Sequence, residues 1–544
     1  MRVLAAAILA LCLSLAGAHA AGSWRILKDH WSEADEEGFG QFVAAIGASD
    51  CSSSESCLRD PANPYRATDQ HFLDIDVDCA KWPYLLRAYY AWKNGLPFSY
   101  VDAVSGPGGD LRFSKAANRL AGRHDFIDRG NGLDGPRVIR EVLGTVFSGT
   151  YRTDAAEHHG VLSDFYSPAL QPGTIRPGSV VYDVNGHVGL VYKVDADGRI
   201  HYMDAHPDYT ISRSVYGAQF GQSPVRLGGG LKNWRPFKLV GAHQDAEGNL
   251  LGGRLVFAQN DQIPDFSLVQ YVGTEPNPKK DVKKARFVYN GVELGFYEYV
   301  RVAVSGGKTD YNPIYEMKAT MKTLCNDLND RAQYVDLAIK DGLANRPHPS
   351  RLPENIYGSD NQEWETYSTP SRDARIKAAA VQFYNDLSGM IDLWVHRDNR
   401  IVYDGYDLQR DLRKAYAVGS MMCTITYLNS AKRPVAMSFD DMMRRLFALS
   451  FDPYHCVELR WGASGEERDS CPDSEPKLKW YEAEQRLRNQ SDRTYDIQMG
   501  FDRDELNRHV RGTGIDQSPP IDIGALIDAM PDQVPLNPMK PVGR

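Results

Sequence analysis

After Ala21, this 544-residue chain has no apolar run approaching the ~18–20 residues a membrane-spanning helix requires, so no transmembrane anchor is expected. It lacks basic excess. Its 62 Lys and Arg stand against 71 Asp and Glu, for a net charge of -9. Nothing suggests the positive face that neutralises phosphates, which argues against nucleic acid as a partner. There is no zinc-finger spacing, no His-Glu-x-x-His, no Gly-Lys-Thr phosphate loop and no internal repeat. No cofactor and no metal site is expected, and Glu157-His158-His159-Gly160 reads as a solvated turn. Cysteine is scarce, at eight residues.

The start of the chain reads as a secretory signal peptide over residues 1–21. Arg2 supplies a short positive region, Val3 to Leu15 an apolar core, and Ala18-His19-Ala20 a small-x-small cleavage site. The expected location is therefore exported, periplasmic or secreted. Cys12 leaves with that peptide, and seven cysteines remain. In an oxidising compartment an odd number leaves at least one thiol unpaired. Cys51 with Cys57 closes a short polar loop, Cys456 with Cys471 closes another, and Cys325 and Cys423 lie in helical patterns of one region. That pairing isolates Cys79.

Periodicity divides the remainder. A lead-in with one helix near Glu36 to Ile46 precedes a helix over 79–92, which Asn94-Gly95 ends. Strands are expected at 179–184, 187–194 and 199–204, set off by Gly, Asp and Asn turns. This first unit is read as 22–245. A strand-rich segment, 246–308, follows, with Phe287 to Tyr289 and Leu294 to Val300 as strand-like runs. Helical spacing then dominates 309–505, for instance Met317, Met321, Leu324 and Leu328, and Ile376, Ala380, Phe383 and Leu387 behind Thr369-Pro370. Residues 506–544 carry several prolines and read as a loosely ordered tail. The fold class expected is α+β: a helix on an antiparallel sheet, a mixed segment, and a mainly helical accessory domain able to dock a protein partner.

The chemistry centres on Cys79. Asp78 is placed to cap a helix whose first turn holds the thiol, and a helix N-terminus favours a thiolate. Pro83 removes the N–H that would bond the Cys79 carbonyl, so the regular helix starts later or its first turn is distorted. His187 opens a strand after Val184-Asn185-Gly186. There Val188, Leu190 and Tyr192 share one face, and His187, Gly189 and Val191 the other. Glycine at 189 is expected to leave room beside the imidazole, which titrates near ~6.5 and suits a general base. On the next strand Asp204 and His206 share parity and emerge together. Asp204 is the first choice to orient the base, His206 the second, and Asn233, in Asn233-Trp234, a distant third. The Cys79 N–H is the natural oxyanion donor, with Gln70 upstream as a helper.

Asp78-Cys79, the entry Pro177-Gly178-Ser179-Val180-Val181 and His187-Val188-Gly189-Leu190-Val191 resemble the papain-like cysteine hydrolases of the NlpC/P60 and CHAP type. The resemblance spans about residues 70–215. It implies a papain-like domain, Cys79 as nucleophile, His187 as base, and Asp204 or His206 as the third residue. It also implies cleavage of amide bonds in peptidoglycan peptides or another envelope substrate. Transglutaminase-like acyl transfer uses the same trio. From a different class, the replacement of the usual small residues by Ala80-Lys81-Trp82-Pro83, and the size of the unassigned remainder, suit a non-catalytic envelope scaffold or binding protein.

Overall fold

The computed structural model describes residues 22–69, 75–157, 159–354, 362–367, 369–491 and 499–531. The expected signal peptide, Gln70 and His158 lie outside them. The chain is α+β with antiparallel sheets.

Ser32 starts helix α1 (Glu33–Ala48) through a reciprocal cap with Asp35, and Phe39, Phe42, Val43 and Ile46 form its buried stripe. Helix α2 (Lys81–Lys93) is buried from Trp82 to Trp92, which makes it the centre of the first unit rather than a surface helix. Arg87 of α2 holds Glu36 of α1 through two hydrogen bonds of 2.8 and 2.6 Å. A long hairpin follows, β1 (Phe98–Ser105) with β2 (Arg119–Phe126), and then α3 (Gly135–Thr145).

Six strands form the main sheet: β3 (Phe165–Tyr166), β4 (Val180–Asp183), β5 (His187–Val194), β6 (Ile200–Ala205), β7 (Ile211–Val215) and β8 (Gly230–Trp234), in the order β3-β8-β4-β5-β6-β7. The alternation in the sequence sorts the side chains by face. Val188, Leu190, Met203 and Ala205 join the core containing α1 and α2. Val181, Val191, Ile200 and Tyr202 join a second core with Phe220, Tyr299 and Val300. Both faces are covered.

The boundary read near residue 245 is corrected by pairing across it. Phe237 to Val240 pairs with Arg254 to Phe257, and His243 pairs with Leu251. Leu239 and Leu255 belong to the first core. The same hairpin closes onto the start of the unit, where Leu239 N–H donates to Asp29 O at 2.6 Å and Leu250 N–H to Ile26 O at 2.7 Å. A second correction concerns Leu294 to Val300. Only Val292 to Leu294 is strand, and the chain turns at Gly295 into helix α4 (Phe296–Val304). Burying Tyr299, Val300 and Ala303 on one helical face against the sheet outweighs the strand propensity of Phe, Tyr and Val.

The helical unit is built on α5 (Pro313–Lys340), α6 (Thr369–Val395) and α7 (Leu408–Met422). Arg331 of α5 and Asp373 of α6 form a buried ion pair at 2.7 Å, and a disulfide joins Cys325 to Cys423 at the end of α7. Later in this unit, α8 (Glu475–Ala483) is broken at Glu484 and followed by a short helix, Gln485–Asn489. The loosely ordered tail is corrected as far as residue 531. Asp522 caps a short helix, Ile523–Asp528, and Ile521, Ile523 and Ile527 enter the helical core.

Cys51–Cys57 and Cys456–Cys471 complete three disulfides, and Cys79 is the cysteine outside them among the described residues. No described helix is long and apolar enough to cross a membrane.

Candidate functional site

Asp78 starts α2 as its sequence position suggests. Its Oδ1 accepts the N–H groups of Ala80 and Lys81, each at 3.1 Å, and its carbonyl accepts those of Lys81 and Trp82. The helix expected from residue 79 begins instead at Lys81 with Ala80 as its N-cap, so Cys79 lies in the turn just before α2 rather than in its first turn, the later start that Pro83 calls for. The half-buried thiol contacts the main chain on both sides of His187. Its sulfur is 3.8 Å from Gly186 O and receives the N–H of Val188. Among the described residues no hydrogen bond joins the thiol to an imidazole. Burial, and then the Asp78 carboxylate, push the thiol up to about 12, outweighing any help from the helix terminus.

Gly186 makes this approach feasible. It closes the β4–β5 turn at φ +89, a left-handed conformation that favours glycine, with Asn185 N–H bonded to Asp183 Oδ1. Its carbonyl is thereby turned to the sulfur.

The His187 ring is held by Asp204. Nε2 lies 2.5 Å from Asp204 Oδ2, and both side chains are almost wholly buried. Because the carboxylate accepts, Nε2 carries the proton and Nδ1 is the nitrogen with a lone pair. Ser212, opposite Asp204 in the β6–β7 pairing, donates its hydroxyl to Asp204 Oδ1 at 2.7 Å. His206 Nε2 sits 2.9 Å from Ser212 Oγ and 3.6 Å from Asp204 Oδ2, and its ring is 5.8 Å from that of His187. One carboxylate thus organises two imidazoles and a hydroxyl. Burial, followed by Arg375, lowers His187 below its ordinary range. Burial and Arg372 lower His206 further. Burial alone would raise Asp204, but His206 and His187 hold it well below the usual carboxylate range.

Gly189 does not leave room for a ligand. A Cβ there would stand 2.7 Å from the Tyr202 ring and 3.0 Å from Val181, so the glycine admits the Tyr202 ring instead.

The helical unit lies over this face. Tyr334 of α5 donates to Asp208 at 2.8 Å, shares a 2.6 Å hydrogen bond with Thr210, and meets the His206 ring edge-on. Arg372 of α6 lies over the Tyr334 ring. Asp204, His206, Ser212, Asp327, Asp330, Arg372 and Arg375 surround a cavity of only about 20 Å³. Burial, and then Asp330, raise Asp327 to about 7; burial raises Asp330 to about 6.

The structure brings His187, Asp204 and His206 together and sets Cys79 against the backbone beside them. Asn233 lies elsewhere, on β8, where Oδ1 accepts from Ser179 at 2.6 Å and Nδ2 donates to Thr174 O. Ser212 was missed because its role depends on strand register. The helical residues were missed because no local motif connects them with β6.

No known family model, curated protein or solved structure matches this chain. The site therefore rests on its own geometry: a histidine–aspartate pair with a disulfide-independent thiol at the strand start.

Proposed function

We propose that the protein is an exported cysteine hydrolase of amide bonds, held here in a closed state. The observation that carries this is the Cys79 thiol, the one outside a disulfide among the described residues, against the Gly186 and Val188 backbone, beside an imidazole whose Nε2 is fixed by Asp204. Three disulfides support an oxidising compartment. The resemblance to NlpC/P60 and CHAP enzymes favours peptidoglycan peptides as substrate. In the reaction, His187 Nδ1 takes the Cys79 proton and the thiolate attacks the amide carbon. His187 then protonates the departing amine as the C–N bond breaks, and water hydrolyses the thioester. Asp204 holds the imidazole and balances its charge. Opening must first release the thiol from the main chain and widen the space at Asp204.

The second reading, a non-catalytic envelope scaffold, is favoured by the thiol's high pKa and the 20 Å³ cavity. One experiment separates the two. The mature protein is alkylated without reduction, and amine release from purified wall fragments is assayed for wild type and Cys79→Ala. The hydrolase reading expects labelling at Cys79 and loss of at least ~100-fold in release. Amine incorporation in place of hydrolysis identifies acyl transfer. An unlabelled thiol, with equal activity in both proteins, establishes the scaffold.

A further inference from the structure

A second cluster of titratable groups lies far from Cys79, in the helical unit. His348, from the loop after α5, places Nε2 2.5 Å from Asp452 Oδ2 and 3.9 Å from Glu484 Oε1. His455, three residues after Asp452, places Nε2 3.6 Å from Asp452 Oδ2 and 3.8 Å from Glu484 Oε2. The four side chains are between 0 and 3% exposed. Donor atoms of His348, Asp452 and Glu484 lie within 4.8 Å of one another.

Three features distinguish this cluster from an ordinary buried ion-pair network. First, both oxygens of Glu484 and the Nε2 of His455 are buried without a hydrogen-bond partner. Such orphaned polar atoms are costly, and a packed core rarely leaves three together. The neighbouring Arg488 is 3.7 Å from Glu484 Oε2, and its Nη1 instead donates to Tyr481 O. Second, the outer nitrogens are already occupied. His348 Nδ1 lies 2.6 Å from Pro349 O and His455 Nδ1 3.0 Å from Asp473 Oδ2. Those bonds set each ring so that Nε2 faces the carboxylates, the outer-sphere pattern of metal-binding histidines. Third, separations of 3.6 to 3.9 Å are too long for hydrogen bonds. They suit donors that share an ion at about 2.0–2.2 Å from each, whereas the 2.5 Å His348–Asp452 contact is a hydrogen bond that an entering ion has to open.

We propose that His348, Asp452 and Glu484, whose donor atoms lie within 4.8 Å of one another, form a structural site for one divalent first-row transition-metal ion, with His455 drawn in as the fourth ligand when the ion binds and Zn²⁺ the best match to two imidazoles and two carboxylates. The ligands come from three distant segments, and the ion ties them together. Trp480 stacks on the His348 ring at 4.2 Å and helps close the site to solvent, as suits a structural rather than a catalytic ion. The break of the helix at Glu484, immediately after α8, falls at the ligand itself.

The test uses the full mature chain, purified without chelator or reductant. Elemental analysis is expected to find about one equivalent of Zn²⁺ or a chemically similar ion per chain. Chelation should lower the thermal midpoint, and added Zn²⁺ should restore it. Co²⁺ loaded into the stripped protein should give the visible ligand-field bands of a four-coordinate site. Glu484→Gln preserves side-chain volume and should weaken Zn²⁺ binding by at least ~10-fold. His455→Ala should do the same. Wild-type protein that holds no metal, with a midpoint unmoved by Zn²⁺, Mn²⁺ or Co²⁺, overturns the proposal. So does undiminished stoichiometry and affinity in Glu484→Gln.

Discussion

Two buried histidine–aspartate pairs of equal length occur in this chain, with opposite electrostatics. At His187–Asp204, one carboxylate serves two imidazoles, Ser212 takes its other oxygen, and Arg372 and Arg375 stand nearby; both histidines are pushed below their ordinary range. At His348–Asp452, Glu484 and Asp473 add two more carboxylates around two imidazoles. There both histidines are raised, His455 to about 9. Burial lowers all four. The neighbouring charges therefore decide the direction, and a 2.5 Å contact does not by itself define a charged pair. The first cluster is balanced for a neutral imidazole able to accept a proton. The second is rich in donors and poor in partners, as a cation site requires.

The sharpest way to break this contrast is Asp452→Ala. It leaves two buried imidazoles facing Glu484 and should cost about 3–5 kcal/mol in equilibrium urea denaturation. A loss of only about 1–3 kcal/mol, the range expected at Asp204, would make the two clusters energetically alike. Asp204→Asn retains the volume but not the charge. It should cost about 1–3 kcal/mol by the same measurement and, in the hydrolase reading, impair turnover beyond the stability loss. Ser212→Ala removes one hydrogen bond from Asp204 and should cost about 1 kcal/mol.

A pH slope tests the same surroundings through a neighbouring carboxyl. Asp327 is raised from the ordinary 3.8 to about 7, so the folded chain holds a proton that the unfolded chain has released between those values. Stability from this group is full below about pH 4 and is lost as pH rises through about 7. Melting the wild type and Asp327→Asn across that window should show the decline flattened in the variant. Parallel profiles would remove Asp327 from the account.

Much of the first unit was legible. Strand boundaries over 180–205 follow from alternation between turn residues; the unpaired Cys79 follows from the odd cysteine count of an oxidising compartment, with Cys51–Cys57 and Cys456–Cys471 read as short loops and Cys325–Cys423 from their shared helical region. Asp204 follows from parity with Tyr202, since both project from one face of β6. What was illegible depends on long-range contacts. Ser212 needs the β6–β7 register. Gly189 suggested space until the Tyr202 ring was seen to fill it. Phe296 to Val304 has the composition of a strand and becomes a helix because the sheet offers it a buried face. His348, Asp452, His455 and Glu484 have no ligand-like spacing, because three separate segments deliver them to one point.

The hairpin of Phe237 to Phe257 has a consequence for biosynthesis. Its hydrogen bonds to Ile26 and Asp29 make the first unit a ring in sequence, whose opening residues are satisfied by some of its last. A chain emerging N-terminus first can form the Cys51–Cys57 loop early, but it cannot close this ring until residue 257 has appeared. The early strands must wait, unsealed, for about half the polypeptide to be made.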